Sequence, residues 1–301
     1  MGSRGRDDVL MRQKVVLSLL AYLKKPVSPT VLVKLIFLLR HETKLKRAPS
    51  FYDFVPDKYG PFSFVLHREL LKLKRDGYLC GDERSIALSE QVIDSVEEKI
   101  SELPAAVRAA VRDVVGRYGS KGQTRLVRDV YEGYPWYASK SMLRGFWPRT
   151  SPNVEKASLA VYTAGYEGRS VDAFFDDLMR NGIQLVIDVR ANPVSRRYGF
   201  CKRRFGEIAG RLGLGYRNMP SLGVPSEYRS ALTGVDSRER LLDMYEQEVL
   251  PQRQTEIIEV AESMKRTAAV LVCMEKNPRC CHRSRLAEAV FRKTLLEVKE
   301  I

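Results

Sequence analysis

The sequence predicts two domains, a helix-rich N-terminal domain followed by an α/β domain with a mostly parallel sheet and flanking helices. Three observations support this prediction. Residues 1–100 space their apolar side chains as helices do and end in one short hairpin, whereas the chain after residue 158 alternates apolar strands with helices. Between these parts, residues 147–153 contain two prolines and several small polar residues, which predicts a domain boundary.

Charge is unevenly distributed along the chain. Lysine and arginine outnumber aspartate and glutamate by 27 to 17 in residues 1–150, a net of +10, but by only 24 to 20 in residues 151–301, a net of +4. A basic half joined to a nearly balanced half indicates a polyanionic partner for the basic half. We expect that partner to be nucleic acid, with duplex DNA as the first candidate. A solvated basic surface without a partner is the alternative.

The composition predicts a cytoplasmic protein without a membrane, cofactor or metal requirement. No apolar run approaches the roughly 18 residues of a membrane span, and the chain starts without an apolar leader. The five cysteines show no paired spacing, which predicts reduced thiols. Only three histidines are present and no Cys-x-x-Cys pair occurs, so no zinc site is predicted. The sequence does not indicate an oligomeric state.

Two helices are predicted near the start of the chain. Residues 9–23 carry apolar side chains at helical spacing and stop before Pro26, because the residue preceding a proline disfavours the helical conformation. Ser28 and Pro29 then form the N-cap and first turn of a second helix, which continues through residues 31–39.

A third helix and a hairpin are predicted next. The helix should run from Pro61 to Asp76, and residues 78–88 should form two short strands around a turn at 81–84. Four residues at helical spacing would make the buried stripe of this helix: Phe62, Leu66, Leu70 and Leu73.

Three helices followed by a two-stranded wing resemble a winged helix-turn-helix domain, here residues 1–100. That arrangement places the third helix in a DNA major groove and the wing on the backbone. A solvated basic face and a winged helix that contacts protein are the alternatives. Residues 101–157 are predicted to be a helical extension and linker. Four basic residues of the third helix and the wing are the predicted nucleic-acid contacts: Arg68, Lys72, Arg75 and Arg84.

The α/β prediction for residues 158–301 depends on three apolar runs, at 158–163, 183–187 and 268–273, with helices between them. Strands with such continuous apolar runs are typical of parallel sheets covered by helices. In these sheets, ligands bind outside the carboxyl ends of the strands.

Polar or glycine-rich residues follow each of the three runs. Asp188 and Glu275 are the predicted catalytic carboxylates, in the role of acid, base or water-activating group. If their strands are neighbours, both carboxylates should face one crevice. Ordinary strand-end polarity is the alternative. Eight further residues are predicted to bind substrate: Gly165, Tyr166, Arg169, Arg190, Ser195, Tyr216, Lys276 and Arg283.

A basic segment, residues 196–204, follows the second strand. It combines five positive charges with two aromatic residues in an otherwise mildly basic domain. A phosphodiester backbone that passes the site would explain this concentration, and a solvated loop is the alternative. The predicted contacts are Arg196, Arg197, Lys202, Arg203 and Arg204.

The triplet Cys281-His282-Arg283 admits two interpretations. A cysteine at a helix start, with a histidine and an arginine beside it, would have a lowered pKa and could be a nucleophile. Adjacent helical residues point about 100° apart, however, so His282 would be poorly placed as the base. The favoured interpretation is structural: Cys281 is small and buried, and Arg283 binds the Glu275 carboxylate or a phosphate.

The C-terminal half carries four motifs in order. They are Gly-Tyr-Glu-Gly-Arg at 165–169, Asp-Val-Arg-Ala-Asn-Pro-Val-Ser at 188–195, Tyr-Arg-Asn-Met-Pro-Ser-Leu-Gly at 216–223 and Glu-Lys-Asn-Pro-Arg-Cys-Cys-His-Arg at 275–283. Together they resemble the domain-of-unknown-function family 488 over residues 158 to about 295. The resemblance implies an α/β fold with a shared polar pocket.

These observations predict a nucleic-acid-processing enzyme, a hydrolase in which the winged helix holds duplex DNA. The α/β pocket would receive a nucleotide or an extruded base, and base excision is the first candidate reaction. One alternative is a ligand-sensing, DNA-binding transcriptional regulator without catalysis. Another is a defence or toxin–antitoxin module whose N-terminal domain contacts a protein.

Overall fold

The computed structural model of the protein describes residues 9–48, 50–146, 157–231 and 237–301. The chain divides between Pro152 and Asn153 into two compact units. No helix in the described ranges combines the length and the apolar character that crossing a membrane requires.

The described part of the first unit is mainly α-helical. Its helices are α1 (Met11–Leu23), α2 (Pro29–Glu42), α3 (Phe64–Arg75), α4 (Ile93–Ser101), α5 (Ala105–Tyr118) and α6 (Gln123–Gly133). The first two begin and end close to the predicted positions. Lys24 ends α1 in the left-handed conformation, and the Ser28 hydroxyl accepts a hydrogen bond from the Val31 amide at 3.2 Å at the start of α2.

The third helix begins later than predicted. Pro61 and Phe62 belong to β2 (Gly60–Phe62), which pairs antiparallel with β1 (Val55–Asp57). Ser63 is the N-cap of α3, because its hydroxyl accepts a hydrogen bond from the Leu66 amide at 3.2 Å. The prediction of a helix from Pro61 with Phe62 in its buried stripe is therefore wrong. A proline suits an edge strand as well as a first helical turn, so Pro61 alone does not distinguish them.

A hairpin follows α3, as predicted. Strands β3 (Leu79–Gly81) and β4 (Ile86–Leu88) pair antiparallel, with Leu79 opposite Leu88. Val27, between α1 and α2, forms an antiparallel bridge with Ile86. The hairpin is thus attached to the helical core on its β4 side.

The second unit contains a five-stranded parallel sheet with the strand order β7-β6-β8-β5-β9. The strands are β5 (Val161–Gly165), β6 (Leu185–Asp188), β7 (Gly215–Asn218), β8 (Ala269–Cys273) and β9 (Val298–Glu300). Three of them correspond to the predicted apolar runs and confirm the α/β prediction. The two edge strands, β7 and β9, were not predicted.

Helices flank the sheet. They are α7 (Val171–Arg180), α8 (Lys202–Arg211), α9 (Ser226–Ala231), α10 (Ser237–Met244), α11 (Gln254–Arg266) and α12 (His282–Thr294). One core cluster joins Ile187 and Leu271 of the sheet to Val260 of α11 and Val290 of α12. A second, aromatic cluster joins α7 and α8 to Tyr216 of β7 through Phe205.

The strand order brings the predicted catalytic strands together. β6 and β8 are neighbours, with Asp188 opposite Val272, and Gly165 at the end of β5 lies opposite Cys273. Because all strands are parallel, their carboxyl ends meet at one edge of the sheet. The chain leaves β8 at this edge and reaches Glu275 two residues later.

Candidate functional site

Asp188 lies in a buried hydrogen-bond network at the end of β6. Its two carboxylate oxygens accept hydrogen bonds from Arg190 Nε and Nη2, each at 2.7 Å, and the Tyr216 hydroxyl donates to Oδ2 at 2.8 Å. Asp188 is fully buried and Arg190 is 5% exposed. The ion pair between Asp188 and Arg190 is therefore bidentate and shielded from solvent.

Arg190 connects this network to the chain that follows β6. Its Nη1 donates to the Tyr166 hydroxyl at 2.9 Å and to the Phe200 carbonyl at 2.7 Å, and the Tyr166 and Phe200 rings stack at 4.1 Å. Burial alone would lower the pKa of Arg190, but the hydrogen bonds and charge of Asp188 outweigh burial and raise that pKa above its usual value. Arg190 thus remains charged and holds the 191–200 loop at the sheet edge.

Glu275 has different surroundings from Asp188. Its side chain is half-buried, and its Oε2 accepts hydrogen bonds from the thiols of Cys273 at 3.0 Å and Cys281 at 3.1 Å. Burial acts to raise the pKa of Glu275, but these thiol hydrogen bonds outweigh it and lower the pKa. The neighbouring strands place Asp188 and Glu275 at the same edge, but the hydrogen bonds of their carboxylates go to different residues.

Cys281 and His282 are not successive residues of a helix. Cys281 is the N-cap of α12, with an extended backbone (φ −134°, ψ 137°), so the argument from a helical angle of about 100° does not apply to this pair. Its Sγ lies 3.9 Å from His282 Nδ1, and Cys273 Sγ lies 3.7 Å from the same nitrogen. Cys281 is buried, as the structural interpretation expects.

The two thiols have opposite pKa shifts. The interaction with the neighbouring Cys273 thiol lowers the pKa of Cys281, and His282 acts in the same direction. The interaction with Cys281, followed by burial, raises the pKa of Cys273.

Arg283 holds the backbone of the 275–276 segment. Its guanidinium donates to the carbonyl of Glu275 and, at 3.0 Å, to the carbonyl of Lys276. The prediction that Arg283 binds the Glu275 carboxylate is wrong in this detail, because it is the main chain that accepts. Gly165 packs against the same segment, and a Cβ added there would lie 2.0 Å from the Glu275 carbonyl oxygen. Gly165 is therefore needed for close approach of two backbones.

The remaining predicted substrate-binding residues form contacts with groups other than the two carboxylates. Arg169 forms an ion pair with Asp177 of α7, and the Ser195 hydroxyl accepts a hydrogen bond from the Arg197 amide at 3.1 Å. The Lys276 side chain is exposed, while its amide donates to Glu167 Oε2 at 3.0 Å. Within the part of the chain that the structure describes, the side chains that donate to Glu275 Oε2 are Cys273 and Cys281.

The basic residues of segment 196–204 are exposed, and the segment is held in place. Arg197 donates to the Arg169 carbonyl at 2.7 Å, while Arg203 and Arg204 both pair with Glu207. Arg196 and Lys202 have no carboxylate partner within the described ranges. The segment therefore presents positive charge to solvent next to the carboxyl edge.

In the first unit, three of the four predicted contacts are exposed, namely Arg68, Arg75 and Arg84, and Lys72 is half-buried. Lys72 pairs with Asp76 at 2.5 Å, and the same carboxylate lies 3.7 Å from Arg75. The charge of this face of α3 is thus partly compensated.

A surface pocket lies away from the predicted site. It is lined by residues of α11, of α12 and of the π-helical segment Tyr245–Val249, among them Gln254, Arg285 and Lys293. None of the predicted site residues lines it.

The proximity of Cys273 to Cys281 and His282 was not predicted from the sequence. Their ligand atoms lie within 4.8 Å of one another, and all three residues are buried. Cys-x-x-Cys spacing is the usual sequence sign of a zinc site, whereas Cys281 and His282 follow Cys273 by eight and nine positions. A Cys-x-Glu run at the end of an apolar strand, followed by Cys-His at a helix start, is the signal that could have found them.

Comparison with known proteins agrees with three of the four motifs of the second unit, those at 188–195, 216–223 and 275–283. No curated protein matches the chain. Residues 170–290 match the family model described as Domain of unknown function DUF488, a span that includes Asp188, Arg190, Glu275 and residues 281–283. This match supports the resemblance of the C-terminal part of the chain to the domain-of-unknown-function family 488.

Proposed function

We propose that the protein is a nucleic-acid-processing enzyme that acts hydrolytically on a nucleotide or an extruded base at the carboxyl edge of the sheet. One observation carries the proposal: Arg190 fastens the basic segment 196–204 to the edge where Glu275 lies, through its 2.7 Å hydrogen bond to the Phe200 carbonyl. A positively charged surface beside a half-buried carboxylate suits a phosphodiester backbone that presents one unit for chemistry.

Glu275 is the proposed acid–base residue. Its half-buried carboxylate lies at the carboxyl edge of the sheet, so it can accept a proton from an attacking water. In base excision, the water oxygen would bond to the sugar C1′ as the glycosidic C–N bond breaks, and the departing base would take up a proton. Asp188 is a positioning residue in this proposal, because its carboxylate is fully buried and holds Arg190.

For the first unit we propose a winged helix that binds duplex DNA. Three features support this: the hairpin β3–β4 directly follows α3, the bridge between Val27 and Ile86 adds a third extended segment, and α3 carries basic side chains at i, i+4 and i+7. In such domains the third helix enters the major groove.

The enzymatic proposal is tested by incubating the protein with duplexes that carry a panel of altered bases. We expect abasic sites or strand breaks with at least one duplex. Glu275→Gln should slow that reaction by about 100-fold or more with unchanged affinity for the duplex, because general acid–base groups act in the transition state.

Glu259→Gln is the matched control, since Glu259 is a surface residue of α11 that pairs with Arg217 at 2.8 Å. It should leave the rate unchanged. If the wild-type protein binds duplex but releases no product from any member of the panel, the enzymatic proposal fails and the regulator is favoured.

The α3 surface is tested by the triple variant Arg68→Ala, Lys72→Ala, Arg75→Ala. We expect weaker binding to all duplex sequences. We also expect the slope of the logarithm of the binding constant against the logarithm of the salt concentration (the salt slope) to fall in magnitude by about one for each phosphate that the variant no longer neutralises. Binding titrations of the full chain at several salt concentrations measure both effects.

A second triple variant removes three exposed arginines from α5 and α6 and serves as the charge-matched control: Arg112→Ala, Arg125→Ala, Arg128→Ala. It should change the salt slope less than the α3 variant. Equal effects of the two variants would show that α3 is not the specific contact surface.

A further inference from the structure

A buried cluster of potential metal ligands lies at the junction of β8 and α12. Cys273 Sγ, Cys281 Sγ and His282 Nδ1 all lie within 4.8 Å of one another. The three residues are 2%, 1% and 3% exposed, respectively. They come from two rigid elements, since Cys273 ends a central strand and Cys281 and His282 begin a helix.

The distances within the cluster suit one tetrahedral metal ion. Zinc lies about 2.3 Å from sulfur and about 2.0 Å from imidazole nitrogen, which places two ligands of a tetrahedron about 3.6–3.8 Å apart. The two sulfur–nitrogen distances are 3.7 and 3.9 Å. A zinc ion could therefore occupy the space between these three atoms with little movement of the side chains.

The imidazole of His282 is oriented for coordination. Its Nε2 lies 3.1 Å from the Val189 carbonyl, and the Tyr245 ring packs edge-on against it at 5.2 Å. A carbonyl accepts only, so Nε2 carries the proton and Nδ1 directs its lone pair toward the two sulfurs. Metal-bound histidines are held in the same way, by a hydrogen bond from the second ring nitrogen.

The cluster is rich in acidic groups. Glu275 Oε2 lies within 3.1 Å of both sulfurs, and neither lysine nor arginine forms a salt bridge with this carboxylate within the described ranges. Two thiols and a carboxylate around one imidazole would be stabilised by a cation. Thiolate and imidazole ligands select zinc over magnesium or calcium, which prefer oxygen.

We propose that Cys273, Cys281 and His282 bind one Zn²⁺ ion, with Glu275 beside the metal. Three protein ligands leave a fourth position for water, the arrangement of catalytic zinc sites. A zinc ion bound there would supply an activated water for hydrolysis, and Glu275 would lie where it could accept a proton from that water. The metal belongs to the site described above, so this inference deepens the proposed function, but only its catalytic consequence rests on that function.

The test is metal binding by the full chain of residues 1–301. Metal-free protein is titrated with Zn²⁺ and, in parallel, with Co²⁺, whose thiolate complexes have characteristic charge-transfer absorption. We expect one ion per chain, a thiolate–cobalt absorption band that zinc abolishes, and release of up to about two protons from the thiols. A folded wild-type protein that gives no thiolate–cobalt band would overturn the proposal without any variant.

Variants identify the ligands. Cys273→Ser, Cys281→Ser and His282→Gln should each lose stoichiometric binding, while circular dichroism shows whether they remain folded. Cys280→Ser is the matched control, because Cys280 adjoins Cys281 but lies outside the cluster, and it should bind as the wild type does. Loss of binding in Cys280→Ser, or retention in folded Cys281→Ser, would show that other residues hold the metal.

Glu275→Gln separates zinc binding from catalysis. This variant should retain the metal, because Glu275 is proposed to contact the water in the fourth position and not to bind the ion itself. Loss of the metal would show that Glu275 is the fourth ligand and that no position is open for water. If zinc binds as described but no altered duplex is processed, the proposed function fails while the metal site stands.

Discussion

Replacing Asp188 by asparagine should lower the free energy of unfolding of the C-terminal unit by about 3–5 kcal/mol, the usual cost of removing one partner of a buried ion pair. Arg190 would be left buried and charged, because a guanidinium does not give up its proton at neutral pH. Asparagine keeps the shape of the side chain but offers one acceptor oxygen, where the carboxylate accepts from two arginine nitrogens and from Tyr216. Urea unfolding followed by circular dichroism measures the decrease in stability.

Asp177→Asn is the control for this prediction. Asp177 also pairs with an arginine of the same unit, Arg169, but its side chain is 41% exposed. Exposed ion pairs contribute about 0–1 kcal/mol to stability, so the free energy of unfolding of this variant should lie close to that of the wild type. Equal stability of the Asp188 and Asp177 variants would mean that the buried ion pair does not anchor the sheet edge.

This prediction differs from what the sequence alone implies for Asp188. A strand-end aspartate followed by an arginine is consistent with a catalytic pair, for which Asp188→Asn would abolish chemistry and leave the fold intact. Burial favours the positioning role, because the Asp188 carboxylate is fully buried and its hydrogen bonds go to Arg190 and Tyr216. Burial depends on residues distant in sequence, here Tyr166, Phe200 and Tyr216.

The fold was predictable where the hydrophobic pattern is strong. The runs that became β5, β6 and β8 are apolar because the central strands of a parallel sheet are buried on both faces. Strands β7 and β9 lie at the edges, and their sequences, Gly-Tyr-Arg-Asn and Val-Lys-Glu, contain no such run. An edge strand is stabilised by one neighbour and by tertiary contacts, which local periodicity does not report.

The sequence predicts where the candidate site lies in the fold, but it does not predict which side chains contact each other there. The strand-edge rule locates Asp188 and Glu275 at one end of the sheet, because it depends only on parallel topology. The meeting of Cys273 with Cys281 and His282 depends on the path of the eight-residue connection between β8 and α12, and on Cys281 being an N-cap instead of a helical residue. A difference of one position at a helix start decides which way that side chain points.

Replacing Lys34 by methionine should stabilise the N-terminal unit at pH 6, and the gain should shrink as the pH rises toward 10. Lys34 of α2 is 1% exposed, donates to the Tyr59 carbonyl at 2.6 Å and has no salt bridge within the described ranges. Burial lowers the pKa of Lys34 from 10.5 to about 7. Between these values the unfolded chain holds a proton on this lysine that the folded chain has lost, so the stability of the wild type rises with pH. Below pH 7 both states are protonated, and the cost of burying the charge is fully present.

Each pKa unit corresponds to about 1.4 kcal/mol, so Lys34→Met should raise the free energy of unfolding at pH 6 by up to about 5 kcal/mol. The missing hydrogen bond to Tyr59 reduces this gain by about 1 kcal/mol. Both tryptophans of the chain, Trp136 and Trp147, precede the boundary at Pro152, so tryptophan fluorescence during urea unfolding reports on this unit. Lys74→Met is the matched control, because Lys74 also donates to a backbone carbonyl, that of Gly81 at 2.6 Å, but is exposed. The free energy of unfolding of that variant should stay within about 0.5 kcal/mol of the wild-type value at every pH. If the difference in free energy of unfolding between Lys34→Met and the wild type is the same at pH 6 and pH 10, burial does not lower the pKa of Lys34.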